Sequence, residues 1–190
     1  MKNYILIIIS LVILQSCVST KDETYAQLET IKESIHLRDN LPIIHELGFP
    51  VGYPDMDGYT NVNPFGNKTR SGIHCGCDFN KPGNTDLGDT IYAIGDGMII
   101  ETYDAYIGIL HHMHSKTYPY VISVYYHCNE IFVENNQFVT GGQPIGTIGK
   151  KYTKTAHLHF EILTDTTKRD AYYNNIEYCI DPVKFINSYK

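Results

Sequence analysis

Short apolar or aromatic runs separated by polar, glycine-bearing turns occupy the chain beyond residue 61. Runs of this length with many β-branched and aromatic side chains are typical of strands. The predicted strands are Ile91–Ala93, Gly97–Thr102, Gly108–His112, Val121–His127, Pro144–Ile148 and His157–Ile162. Because long helical patterns do not alternate with these runs, the sequence favours an all-β domain with sheets packed or curled on one core.

The N-terminal residues have a different pattern. Lys2 precedes an apolar run, Ile5–Leu14, which is about as long as the apolar part of a secretory signal and too short to span a bilayer comfortably. The run ends at a Leu-Gln-Ser-Cys sequence that resembles a bacterial lipobox. Residues 1–16 are therefore predicted to be a lipoprotein signal peptide, and Cys17 is predicted to carry the lipid that anchors the protein to a membrane.

Residues 17–60 are interpreted as a tether that leads from the lipidated cysteine to the domain. Apolar residues at helical spacing predict one short helix from Tyr25 to Ile35. The charged segment at residues 21–23 resembles a surface-export signal of some lipoproteins, and a solvated linker explains it equally well. The folded domain is assigned to residues 61–190, in the cell envelope, at the outer membrane or the cell surface.

Composition limits the number of domains and the classes of partner. A chain of 190 residues, 43% hydrophobic and 19% charged, can bury one ordinary core, so we expect one domain that acts as a monomer. The formal net charge of −6 argues against nucleic-acid binding, which normally needs a basic face.

Four histidines and one aspartate carry the candidate chemistry: His74 and Asp78 in HCGCD, His127 in YYHCN, and His157 with His159 in HLHFEI. Alternate side chains share one face of a strand, so HxxxD and HxH each predict two side chains on one face. Imidazole and carboxylate ligands suit zinc, and a catalytic zinc site commonly keeps one position open. The sequence therefore predicts one zinc ion with two free histidines beside it.

The cysteines other than Cys17 form a separate set of four: Cys75, Cys77, Cys128 and Cys179. Strand alternation turns the first three away from the predicted zinc site, so structural roles are favoured over metal binding. An even number permits three fully paired connectivities. A disulfide between Cys128 and one of the first two, or free buried thiols, would each explain the pattern.

Four segments in order, FGNKTRSGIHCGCDFN, GDTIYAIGDGMII, YYHCNEI and VTGGQPIGTIGKKYTKTAHLHFEI, resemble the lysostaphin-type, or LytM-domain, zinc endopeptidases. The resemblance covers residues from about 62 to 182. It implies that His74, Asp78 and His159 are the zinc ligands and that His127 and His157 are the catalytic histidines. It also implies a mostly antiparallel β fold with a narrow groove over the metal.

The activity implied by the resemblance is hydrolysis of peptide cross-links in bacterial peptidoglycan by a zinc-activated water. Glu161 shares strand parity with His159, so it is a candidate partner for that ligand or else a surface carboxylate. The alternative function is a non-catalytic LytM-like module that binds or regulates within the envelope. That alternative predicts gaps in the five-residue set, and the sequence has none. A purely structural zinc site would not need two spare histidines.

Overall fold

The computed structural model describes residues 40–69, 72–164 and 176–190. Cys17 and the predicted helix from Tyr25 to Ile35 lie outside these residues, so both stay predictions. Residues Leu41–Lys190 form one compact unit. Within the described part of the chain, no helix is both long and apolar enough to cross a membrane.

The described residues form strands for the most part, with one 3-10 turn at Ile176–Tyr178 and one α-helix. The strands are β1 (Ile43–Ile44), β2 (Thr60–Asn63), β3 (Lys68–Thr69), β4 (Gly72–Ile73), β5 (Cys77–Asn80), β6 (Thr90–Tyr92), β7 (Gly97–Tyr103), β8 (Tyr106–Met113), β9 (Tyr120–Tyr126), β10 (Cys128–Ile131), β11 (Phe138–Val139), β12 (Pro144–Ile148), β13 (Leu158–Leu163) and β14 (Cys179–Ile180). The helix is α1 (Pro182–Asn187).

One large sheet organises the domain, in the order β11-β7-β8-β9-β13-β5-β2, with β1 added beside β8 and β14 beside β13. A second sheet has the order β10-β12-β6, and β3 pairs with β4 alone. The described pairs are antiparallel except β1 with β8, which is parallel. The prediction of a mostly antiparallel β fold is therefore confirmed.

The middle of the large sheet is buried on both faces. Strand β9 is buried from Val121 to Tyr125, and β8 is buried from Ile107 to His111. Nearly continuous apolar sequence suits such strands, because neither face meets water. Tyr125 and Phe160 meet in this core with ring centroids 5.1 Å apart. The packed core holds β13 rigidly in place, and β13 carries His159 of the HxH motif.

The C-terminal end closes the sheet beside β13. Ile162 pairs with Ile180 and Leu163 with Cys179, so β14 is antiparallel to β13. Helix α1 then begins after Asp181, whose carboxylate accepts hydrogen bonds from the backbone N–H groups of Val183 and Lys184. A side-chain acceptor at this position satisfies N–H groups that have no partner within the helix.

The predicted strands are present with small shifts at their ends. Strand β12 has the predicted bounds, whereas β9 ends one residue early, before His127, and β13 begins at Leu158 rather than His157. Strands β1, β2, β3, β4, β10, β11 and β14 and helix α1 were not predicted. Most of these elements are too short to show a period in the sequence.

Candidate metal centre

Three side chains from the predicted zinc site direct one atom each at a common point. The His159 Nδ1 atom lies 2.8 Å from Asp78 Oδ1 and 2.9 Å from His74 Nε2. His74 Nε2 lies 3.2 Å from the same Asp78 oxygen. Among the described residues, this trio is a group of side chains that can hold a metal ion, with ligand atoms all within 4.8 Å of one another.

Two neighbouring strands position two members of the trio. Asp78 on β5 pairs directly with His159 on β13, which places both side chains on one face of the sheet. The pairing occurs beside the buried centre of the sheet, so neither strand can slip without burying the wrong face. The HxH strand therefore acts as the fixed side of the site.

His74 reaches the site from outside β5, which differs from the sequence interpretation of HxxxD as one strand. Strand β4 ends at Ile73 and β5 begins only at Cys77. The chain bends between them because Gly76 passes very close to β13: a Cβ atom there would lie 2.4 Å from the Phe160 carbonyl oxygen. His74 and Asp78 therefore meet through a bend rather than through strand alternation.

Each of the three ligand side chains also contacts a partner through an atom that does not face the common point. The Pro64 carbonyl oxygen lies 3.3 Å from His74 Nδ1, and Glu161 Oε1 lies 2.8 Å from His159 Nε2. Both partners are oxygen acceptors, so these ring nitrogens donate to them, and the opposite nitrogens, through which a metal ion would be bound, face the common point. The Asn63 amide donates to Asp78 Oδ2 at 2.8 Å, which leaves Oδ1 facing the site.

Electrostatics around the trio favour a positive charge at the common point. Burial would raise the pKa of the Asp78 carboxyl, but hydrogen bonds from His159 and His74 hold it well below its usual range. Burial would lower the pKa of His159, but its bonds to Asp78 and Glu161 raise it to about 9. Two imidazoles and one carboxylate are a suitable donor set for zinc, so the residues fit that ion.

The other two predicted histidines lie beside the trio. The His127 and His157 rings are 4.7 Å apart, and the His127 ring is 6.2 Å from that of His159. His157 Nε2 lies 3.8 Å from Asp78 Oδ1. The structure therefore brings all five predicted residues together, with two imidazoles next to the three convergent atoms.

Backbone carbonyls of one loop hold these two rings. His127 Nδ1 lies 2.6 Å from the Lys151 oxygen, and His157 Nδ1 lies 3.0 Å from the Thr155 oxygen. Carbonyl oxygens accept hydrogen bonds, so each Nδ1 carries the proton and each Nε2 keeps a lone pair. Both rings therefore have an atom available for proton transfer.

The backbone at His127 explains how the loop approaches it. His127 has φ +66°, which turns the chain between β9 and β10. Gly149 lies against this turn, and a Cβ atom there would be 2.6 Å from the His127 carbonyl oxygen. Burial, followed by the neighbouring His157, lowers the pKa of His127 to about 4. The ring is therefore neutral near pH 7 and can accept a proton.

Some residues of the site were not predicted. Asn63 on β2 supports Asp78, and Tyr126 packs its ring 5.4 Å from that of His159. An asparagine before a proline reads as a turn signal, so nothing in the sequence marked Asn63 as a partner of the aspartate. Glu161, which strand parity did single out, bonds His159 directly.

The remaining described histidines lie apart from this cluster. His111 is buried between the Asp96 carbonyl oxygen and the Ser123 hydroxyl. His112 stacks on Tyr120, and His45 meets His114 at 4.6 Å. His36 lies outside the described residues. Cys75, Cys77 and Cys128 are buried and contribute no atom to the metal-binding group.

Sequence comparison finds one family match over the segment that contains the site. The profile of the family described as Peptidase family M23 matches residues 72–171. The peptidoglycan DD-endopeptidase ShyA of Vibrio cholerae is 33% identical over 109 residues, which are 54% of this chain and 23% of ShyA. The chain thus spans less than a quarter of that relative's length.

Solved structures share the fold. Lysostaphin from Staphylococcus simulans superposes with a TM-score of 0.58 at 22% identity, over 78% of this chain and 56% of the lysostaphin chain. A zinc-containing peptidase from Vibrio cholerae superposes with a TM-score of 0.51 at 24% identity, over 72% of this chain and 39% of that one. At these identities, the two structures establish the arrangement of strands.

Proposed function

Because the chain belongs to peptidase family M23, we propose that it is a zinc-dependent endopeptidase that hydrolyses peptide cross-links of bacterial peptidoglycan. One observation carries the proposal. Three convergent ligand atoms, from His74, Asp78 and His159, lie beside two histidines whose rings are held by other partners. A closed structural zinc site would have no use for the two extra rings.

His74, Asp78 and His159 would hold the zinc ion through the three convergent atoms. Zinc bound there would polarise a peptide carbonyl and provide a water of lowered pKa as the nucleophile. The fixed hydrogen bonds behind the ligands keep the ligand atoms aimed at the ion's position before it arrives, so little reorganisation is needed.

His127 and His157 would handle the protons. Each ring donates through Nδ1 to a loop carbonyl and keeps Nε2 free on the side of the trio. One ring would accept a proton from the attacking water at Nε2, and the other, after taking a proton from solvent at Nε2, would donate a hydrogen bond to the substrate oxygen that gains negative charge. A proton held by either ring can then pass to the leaving amine.

The substrate class follows from the family and from ShyA, which is a peptidoglycan DD-endopeptidase. A protein acting on peptidoglycan works outside the cytoplasm, which agrees with the predicted signal peptide at residues 1–16 and lipid anchor at Cys17. We propose that the segment from Cys17 to the start of the compact unit at Leu41 tethers this unit, the catalytic domain, to a membrane of the cell envelope. The protein would act there as a monomer on the peptide part of the wall.

Digestion of purified peptidoglycan tests this function. The zinc-loaded full chain is expected to convert cross-linked muropeptide dimers into monomers, which chromatography with mass spectrometry measures directly. His159→Ala should abolish the conversion, whereas the matched control His114→Ala, on an exposed residue outside the site, should leave it unchanged. Dimers that persist with the zinc-loaded wild-type protein would instead support the non-catalytic module.

A further inference from the structure

Two cysteines meet at the point where one strand replaces another along the edge of β13. Strand β9 occupies one edge of β13, so β5 and β14 share the other. Along β13, pairing with β5 stops at Phe160, which is opposite Cys77, and pairing with β14 starts at Ile162, which is opposite Ile180. Both cysteines lie at this junction. Cys75 is two residues before the first residue of β5, and Cys179 is the first residue of β14.

The two thiols are close enough to interact. The Cys179 thiol donates a hydrogen bond to the Cys75 sulfur, and the Cys75 thiol donates in turn to the Ile73 carbonyl oxygen at 3.7 Å. Cys75 is almost fully buried, whereas Cys179 is half-buried and can be reached from solvent.

The other two described cysteines have different surroundings. Cys77 is fully buried in the core, where its sulfur accepts a hydrogen bond from the Asn61 amide at 3.2 Å. The Cys128 thiol donates to the Tyr125 carbonyl oxygen. All four described cysteines carry thiols in this structure. The interaction between the Cys75 and Cys179 thiols therefore singles out one of the six pairs that four cysteines can form.

We propose that Cys75 and Cys179 are a redox-active pair that closes to a disulfide when the protein meets an oxidising compartment. The oxidant is a disulfide of a small thiol or of a thiol–disulfide exchange protein. The half-buried Cys179, as the thiolate, attacks the donor disulfide, forms a mixed disulfide and releases one donor thiol. The Cys75 thiolate then attacks the Cys179 sulfur and releases the second, so two thiols lose two protons and two electrons to the donor.

The position of the pair gives the bond a consequence for the metal centre. Cys75 directly follows His74, and the chain at Gly76 is already pressed against β13. A disulfide would join this bend to β14, which is paired with β13 and leads into α1. The segment that presents His74 would thus be cross-linked to the C-terminal end of the domain across about 100 residues of chain. The inference holds whether or not the site is catalytic.

Mapping of disulfides in the full chain tests the pairing. The purified protein is incubated with oxidised glutathione, unreacted thiols are alkylated, and a non-reducing digest is sequenced by tandem mass spectrometry. The expected product is one intramolecular link between Cys75 and Cys179, with Cys77 and Cys128 alkylated after denaturation. A link between any other pair, or full alkylation of Cys75 and Cys179, overturns the proposal.

Thermal unfolding supplies a second readout. Reduction of the oxidised protein is expected to lower Tm by roughly 5–15 °C, because the open chain regains conformational freedom. Cys179→Ser should remove this difference between oxidised and reduced samples, and Cys128→Ser, in the core, should keep it. An equal Tm in oxidised and reduced wild-type protein, or a redox-dependent Tm that survives in Cys179→Ser, would contradict the proposed bond.

Discussion

The two groups of side chains at the candidate metal centre are held in different ways. The trio of His74, Asp78 and His159 is anchored by the packed sheet and by its own set of hydrogen-bond partners. His127 and His157 are instead anchored to carbonyl oxygens of the loop at residues 149–155. The trio is therefore fixed by the core, whereas the position of the two rings depends on the shape of one loop.

Charge separates the two groups as well. The carboxylate of Asp78, within the trio, and that of Glu161 beside it keep the His159 pKa high in the absence of a metal ion. At His127, burial is the largest influence, and it favours the neutral ring. A site with one negative half and one neutral half can bind a cation on one side and accept a proton on the other.

Among changes that leave the ligand trio intact, the largest expected effect follows from removal of a ring that does not bind the metal. His127→Ala should lower the rate of cross-link hydrolysis by about 10²–10⁴-fold, because a proton acceptor is lost while the ligand trio stays intact. Muropeptide release by the zinc-loaded variant measures the rate. A rate within twofold of the wild type would show that His127 has no catalytic role, and His45→Ala serves as the matched control away from the site.

Two glycines allow the ligand trio and the pair of free histidines to be disturbed separately. A methyl group at Gly149 would meet the His127 carbonyl oxygen, and one at Gly76 would meet that of Phe160. Gly149→Ala should lower turnover by roughly 10²-fold with zinc affinity kept, because misplacement of a reacting group is costly. Gly76→Ala should weaken zinc binding instead. Competition with a chromogenic chelator and turnover at saturating zinc separate the two effects, and the same defect in both variants would refute a division into two halves.

Loss of the partner behind a ligand should have an intermediate effect. Glu161→Gln weakens the hydrogen bond that orients His159, so zinc affinity should fall by about 10–100-fold. Equilibrium competition with a chelator measures the affinity. Glu130→Gln, which changes an exposed carboxylate on β10 outside the metal centre, is the matched control and should bind zinc as the wild type does. Equal affinity in the two variants would place Glu161 outside the metal centre.

A buried histidine away from both groups gives the smallest effect, on stability rather than catalysis. Burial lowers the pKa of His111 to about 4, against about 6.5 for an unfolded chain. The unfolded state therefore binds the proton first, and the free energy of unfolding should fall as pH drops from about 6.5 to about 4, by roughly 3 kcal/mol.

Denaturant unfolding of the metal-free protein across this pH range tests the contribution of His111. His111→Gln should make the free energy of unfolding less dependent on pH, whatever its absolute stability. The exposed His114→Gln should leave the pH dependence as it is in the wild type. An unchanged slope in His111→Gln would mean that other groups dominate acid sensitivity.

The sequence predicted the parts of the fold that repeat a simple pattern. Five of the strands are long and apolar enough to be recognised: β7, β8, β9, β12 and β13. The HxH motif at the start of β13 indicated where the site lies. The bend at Gly76 was missed because alternation was assumed to run through HCGCD. Close approach of Gly76 to Phe160 depends on a partner strand more than 80 residues away, which local pattern does not reveal.

Contacts between distant segments were the other part that could not be predicted. Asn63 supports Asp78 across β2 and β5, and Ile43 pairs in parallel with His112 on β8. Neither segment has a period or a composition that points to its partner. The Cys75–Cys179 contact also depends on β14 taking the place of β5 beside β13, so cysteine spacing alone left the pairing open.

The most direct test of the central claim is the amount of zinc bound per chain by paired histidine variants. Elemental analysis after dialysis against a weak chelator should give one zinc per chain for the wild type, His127→Ala and His157→Ala. His74→Ala should retain far less, because it removes one of three convergent ligand atoms. Loss of zinc from His127→Ala to the same extent as from His74→Ala would contradict the division into three ligands and two free histidines.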